Sequence, residues 1–352
     1  MFFHFDQLTV PIVQSPMAGG ASTPELVAAV NSAGAMGFLA AGYRTAEGMR
    51  QQLARTRELT SRPFGVNLFV PGAPDPGAAE AVGEYRDELR AEADRFGLTL
   101  PVPDDVPDDD AWDAKIEALL REPAPVVSFT FGLPSPGVVE ALRRAGSHTV
   151  ATVTTVAEAE AAQAAGVDSL CVQGPQAGGH RATHDIAAQP ENMPLLDLLA
   201  SVRERVRLPL IAAGGLGTGE DVAAVLRAGA CAAQLGTLYL RADESGASQT
   251  HQDALVDERF DATAVTRAFS GRPARGLRNH FIDAYDAAAP SAYPQVHHLT
   301  RGLRAAAAEA GDAERLHLWA GASHRLARRA PAAEITRTLW EESRAAQLSA
   351  PA

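Results

Sequence analysis

In the stretch CVQGPQAGGHRATH, Cys171 to His184, an apolar run ends and His180 follows directly on Gly178 and Gly179. An imidazole titrates near neutral pH and can take a proton beside an activating group, so His180 is the candidate catalytic base. The glycine pair reads as a hinge that lets the backbone lie close to something flat or anionic. Two further stretches, AAGGLGTG (212–219) and QLGT (234–237), offer the backbone N–H groups of Gly214, Gly215, Gly236 and Thr237. Either stretch alone could equally be a tight turn needing positive φ, but together they point to a phosphate held on backbone amides. Asn67 and Gln173 are carboxamides, able to donate and accept along the mixed edge of a heterocycle; satisfying nearby loops is their alternative role.

Other chemistries find little support. His180 and His184 are spaced like a helical metal pair, but no carboxylate accompanies them and the glycines oppose a helix, so no metal site is expected. His4, His148, His251 and His317 lack a comparable setting and read as surface or packing residues. Lys115 is the only lysine and sits in an acidic stretch, which leaves Schiff-base chemistry almost without a candidate. The two cysteines, Cys171 and Cys231, lie in small or apolar runs and read as buried free thiols.

The elements that must carry these residues alternate. Short apolar runs at Ile12–Met17, Met36–Ala40, Phe64–Phe69, Val126–Phe131, Thr149–Val153, Ser169–Gln173, Leu210–Ala213 and Ala232–Leu238 read as strands. Between them, alanine-rich segments such as Thr23–Ala33, Gly137–Ala145, Ala157–Ala165 and Gly219–Ala228 read as crossover helices, several ending at a C-cap glycine. Eight strands of this kind close a TIM (β/α)8 barrel, whose reactive residues lie at the strands' carboxyl ends and whose phosphate site follows strands seven and eight. Thr218 with Asp221 resembles a capping box, which would aim the free N–H groups of that helix start at the same place.

At 352 residues the chain exceeds the roughly 250 of such a barrel. The expected division is 1–240 for the barrel, including an insertion at 71–125 after strand three, and 241–352 for a lid segment and C-terminal helices. The insertion's acidic run, PVPDDVPDDD, reads as a solvated loop. A net charge of -12 with no basic stripe argues against nucleic acid. No apolar run is long enough to span a bilayer, and the N-terminus lacks the basic front of a signal peptide, so a cytoplasmic location is the default expectation.

PIVQSPMAGGASTPEL, MGFLAAGY, PFGVNLFVP, VQGPQAGGHRATH and AAGGLGTG followed by QLGT closely resemble the class I nitronate monooxygenases, formerly called 2-nitropropane dioxygenases. The resemblance continues to the C-terminus through AYPQVHHLTRGLRAAAAEAGD and LHLWAG. It implies FMN bound without a covalent link and oxidation of alkyl nitronates, propionate 3-nitronate among them, by O2 to a carbonyl compound and nitrite. By motif, FMN contacts fall to Met17, Asn67, Gln173, Gly178, Gly215 and Gln234, Leu235, Gly236 and Thr237. His180 falls on the family's active-site histidine, the base where neutral nitroalkanes are used, with Arg181 and Arg301 available for anionic charge. Tyr293, His297 and Arg301 fall where relatives present aromatic and basic residues to substrate. Gln176 stands where the pattern has an acid and Ala182 where it has glycine. The rival reading is an FMN-dependent NAD(P)H enoyl-thioester or quinone reductase of the same superfamily; oligomeric state stays open.

Overall fold

The computed structural model describes residues 3–72, 77–102 and 108–349. Eight parallel strands close a barrel in the order β1 (Ile12–Gln14), β2 (Met36–Ala40), β3 (Gly65–Phe69), β4 (Val126–Thr130), β5 (His148–Val153), β6 (Ser169–Gln173), β8 (Leu210–Ala213) and β9 (Ala232–Leu235), with β9 pairing back to β1. All eight lie where the apolar runs place them. The first and last are shorter than expected, because the chain turns at Ser15 and enters a 3-10 turn at Thr237–Arg241. Strand residues are buried on both faces, which is why these runs read as continuous apolar segments and not as alternating ones.

The crossover helices start and stop on the residues their sequence implies. Pro24–Ser32 is capped by Thr23, Pro136–Ala145 by Ser135 with proline at its first position, and Val156–Ala165 by Thr155. Gly146 and Gly166 end two of them in the left-handed conformation, with φ of 101° and 87°, where a Cβ would be strained.

A second sheet, invisible in the strand periodicity, lies over the carboxyl end of the barrel. It is antiparallel, in the order β10 (Thr263–Thr266), β11 (Ala274–Leu277) and β7 (Gly179–His180). The segment after Arg241 supplies two of its strands. The same segment lays the Gln295–Glu309 helix across the rim and packs the long Ala332–Leu348 helix on the Gly219–Arg227 helix. The insertion carries three helices, Ala78–Glu88, Arg90–Arg95 and Trp112–Arg121. Parts of PGAPDP (73–76) and of the acidic run (103–107) lie outside the described residues.

At the end of the acidic run Asp108 and Asp109 are exposed as expected, but Asp110 is half-buried, 2.7 Å from Lys115, which lies on the Trp112–Arg121 helix and is only 1% exposed. Cys171 is buried as expected, whereas Cys231 is half-buried at the start of β9; both are free.

Candidate active site

The strand exits, the second sheet and the Gln295–Glu309 helix enclose a cavity of about 620 Å³ at the carboxyl end of the barrel. Its lining brings together Met17, Asn67, Gln173, Gly178, His180, Gly214, Gly215, Gln234, Leu235, Gly236, Thr237, His297 and Arg301. Tyr293 is not in the lining. It stands one layer behind, edge-on to Phe131 at 5.4 Å and to His180 at 6.0 Å, so it orients the wall instead of facing the cavity.

His180 is held more firmly than a glycine hinge implies. It forms β7, in register with Ala274, and the N–H of Arg181 donates to Pro273 O at 2.7 Å. Gly178 is needed for close approach, since a Cβ there would stand 2.4 Å from the Gly321 nitrogen; Gly179 is needed for its φ of +75°. Gln173 pins the same loop, donating from Nε2 to His180 O at 3.1 Å and accepting from the Ala182 N–H at 2.9 Å. His180 Nε2 lies 2.9 Å from Ser270 Oγ, and the ring sits among Phe131, Tyr293 and Trp319.

Asn67 differs from Gln173. Its Oδ1 accepts from both Ser128 Oγ and Thr130 Oγ1, at 2.8 and 3.0 Å, which leaves its NH2 to the cavity. At the exits of β8 and β9, no protein acceptor among the described residues is hydrogen-bonded to the backbone N–H of Gly215 or Gly236. The start of the Gly219–Arg227 helix contributes less than expected. The capping box forms, and Asp221 Oδ2 accepts from the N–H groups of Gly217 and Thr218, while Glu342 accepts from Gly219. Two carboxylates thus occupy the helix end that was expected to face an anion.

Electrostatically the cavity is one-sided: among the described residues, no aspartate or glutamate lines it. Burial, helped by the Arg272 and Arg304 guanidiniums, pushes His180 down to about 3. Burial also lowers His251 to about 4, and it lowers His297 and His317 with help from Arg304. His251 and His317 therefore line the site and are not remote packing residues. Arg304 donates to Thr300 Oγ1, His297 Nδ1 and His297 O, and among the described residues it has no carboxylate partner. Arg272 stacks 4.1 Å over Phe131. Arg181, expected to offer charge, is 1% exposed and turns its Nη2 to Glu191 O, away from the cavity. His184 hydrogen-bonds Thr152 O, and His148 packs on Ser169. Arg304 had a legible signal, because 297, 301 and 304 fall on one helical face. Arg272, His251 and His317 had none, since each arrives from a separate loop or short element.

Acid should loosen this fold. Each depressed histidine stays neutral in the folded protein while the unfolded chain binds a proton below about 6.5, so stability rises with pH across that window. The cost on acidification is about 1.4 kcal/mol per pH unit for each such histidine. The melting temperature should hold from pH 7.5 to about pH 6.5 and fall from there to pH 5. A level profile over that interval would contradict the buried, neutral histidines.

The arrangement is that of a (β/α)8 barrel with a basic cavity above the carboxyl ends of its strands. The sequence matches the nitronate monooxygenase family over residues 4–342, and the chain belongs to that family. It is 36% identical over 338 residues to a probable nitronate monooxygenase of Staphylococcus aureus (strain MSSA476), covering 92% of each chain. Among solved structures it is similar to a nitroalkane oxidase from Streptomyces ansochromogenes, with a TM-score of 0.93, 51% identity and 98% of each chain covered. FabK from Thermotoga maritima is more distant, with a TM-score of 0.73 at 26% identity over 97% of this chain and 95% of the other. No helix among the described residues is long and apolar enough to cross a membrane.

Proposed function

We propose that this protein binds FMN in the rim cavity and oxidises alkyl nitronates with O2 to a carbonyl compound and nitrite. The observation that carries this reading is a single cavity that joins unbonded glycine N–H groups to a neutral, half-buried histidine, with guanidiniums and, among the described residues, no carboxylate in its lining. The residues fit the cofactor. Gly214, Gly215, Gln234, Leu235, Gly236 and Thr237 would hold its phosphate end, at the two strand exits where such barrels hold phosphate. Met17, Asn67, Gln173 and Gly178 would hold the ring. The bound flavin supplies the redox step between substrate and oxygen.

The chain's own residues do the rest. Buried Arg304 and exposed Arg301 attract the anion, and a buried guanidinium such as Arg304 stabilises negative charge far better than one in water. The wall of Phe69 and Phe131 excludes water, with Tyr43 and His297 at its edge. For a neutral nitroalkane, His180 takes the proton from the α-carbon, and Ser270 holds its ring. The guanidiniums that keep His180 in its basic form also stabilise the nitronate as it forms, and the new anion favours the imidazolium beside it.

The pH profile tests this role. A base is lost when pH falls through its pKa, and for His180 that lies at about 3. The kcat/KM for a neutral nitroalkane should therefore show no acid limb between pH 5 and 8. An inflection near 6.5 in the wild-type profile, absent for the pre-formed nitronate, would contradict the neutral imidazole.

A further inference from the structure

Tyr43 lines the cavity with a backbone φ of 65°, a conformation that a bulky residue adopts only where its surroundings impose it. Its ring stacks on His297, with centroids 4.1 Å apart and planes 4° from parallel, and meets Phe69 edge-on at 5.3 Å. What imposes the turn comes from the insertion. Asp110 Oδ1 accepts the Tyr43 N–H at 2.9 Å, and Asp110 Oδ2 lies 2.7 Å from Lys115 Nζ. Lys115 Nζ also donates to Ala41 O at 2.9 Å. The ammonium thus brackets the 41–43 turn from both sides, directly at the carbonyl of Ala41 and through Asp110 at the N–H of Tyr43. Two residues earlier, Asp108 Oδ2 meets His298 Nε2 at 2.8 Å, next to the stacked His297. One short acidic stretch therefore grips both sides of the Tyr43–His297 stack.

We propose that Lys115 and Asp110 are positioning residues that hold Tyr43 against His297 and thereby set the length of nitronate the cavity accepts. This rests on the nitronate reading above for its choice of ligand, and on the geometry alone for its residues. Deleting the bracket frees Tyr43 to leave the left-handed conformation and opens the wall toward the helix.

The experiment compares hexyl and ethyl nitronate in the flavin-loaded protein, by kcat/KM under air and by dissociation constants measured anaerobically. Lys115→Met with Asp110→Gly removes both charges together, so that no unpaired ion is left, and glycine suits the φ of 55° at position 110. Tyr43→Gly removes the ring at a backbone angle that glycine accepts. Each should raise the hexyl-to-ethyl ratio about tenfold, within the range that a few methylenes command in a shaped pocket. Combining them should add nothing further, since both act through one ring. Lys115→Met with Asp110→Asn, which removes the charges but keeps an acceptor for the Tyr43 N–H, should stay closer to the wild-type ratio than the Asp110→Gly pair. Should the paired variant not fold, Lys115→Met alone is read in the same way, since it leaves the unpaired charge on Asp110, whose side chain is 19% exposed, and not on the buried Lys115.

An unchanged ratio in the bracket variants, or effects that multiply when combined, would overturn the proposal. Failure of the wild-type protein to bind or consume either nitronate would instead overturn the proposed function.

Discussion

Replacing His180 with asparagine should abolish turnover of a neutral nitroalkane while leaving oxidation of the pre-formed nitronate reduced by a much smaller factor. The neutral substrate must lose a carbon-bound proton inside the cavity, and a positioned base contributes about 10²–10⁴-fold to such a step. The nitronate has no such proton to lose. For it, His180 offers at most a hydrogen bond to a charged group, worth about 1.5–3 kcal/mol or roughly 10–100-fold. Asparagine keeps a polar side chain beside Ser270, and β7 stays paired through the backbone at Ala274, so the fold should be retained. Steady-state assays at fixed oxygen read the two losses side by side. Equal losses on both substrates would mean that His180 only holds the anion.

Gly215→Asp should empty the flavin site. Gly215 follows β8 with a φ of +77°, which aspartate tolerates better than most side chains, and an added Cβ would stand 2.8 Å from both Cβ and Oε1 of Gln176, so the loop at Gln176 must shift slightly to admit it. The new carboxylate would then lie where the unbonded Gly215 N–H invites an anion. Repulsion at that point should cut flavin content of the purified protein to below about a tenth of wild type, since like charges in a low-dielectric site repel by several kcal/mol. Circular dichroism should show the barrel intact. Full flavin occupancy in this variant would place the phosphate elsewhere.

These expectations depend on features of unequal legibility in the sequence. The eight barrel strands announce themselves because burial on both faces makes each a continuous apolar run, and the capping residues Thr23, Ser135, Thr155 and Thr218 mark helix starts by their own hydrogen-bonding chemistry. The glycines of the rim were legible for the same local reason. What holds His180 was not. Its strand is two residues long and pairs with Ala274 and Arg275, more than ninety residues later, with no periodicity to signal it. The basic lining was partly legible: the helical spacing of His297, Arg301 and Arg304 shows in sequence, but the approach of Arg272, His251 and His317 is a product of the tertiary fold. The free N–H groups expected at Gly219 failed because Glu342 arrives from a helix more than a hundred residues away to cap them. The burial of Lys115 and Asp110 escaped for a related reason. Charge density in the acidic run argues for solvent, and only the folded turn at Ala41–Tyr43 supplies the partners that draw them inward.

The central claim is that the cavity oxidises nitronates with oxygen on a bound flavin, and an oxygen electrode tests it most directly. Ethyl nitronate added to the purified yellow protein should draw down oxygen and release nitrite, and denaturation should release FMN. In a parallel anaerobic cuvette, NADH should leave the flavin absorbance near 450 nm unchanged over the same interval. Rapid bleaching by NADH with no nitronate-dependent oxygen uptake would contradict the account and make the protein a reductase.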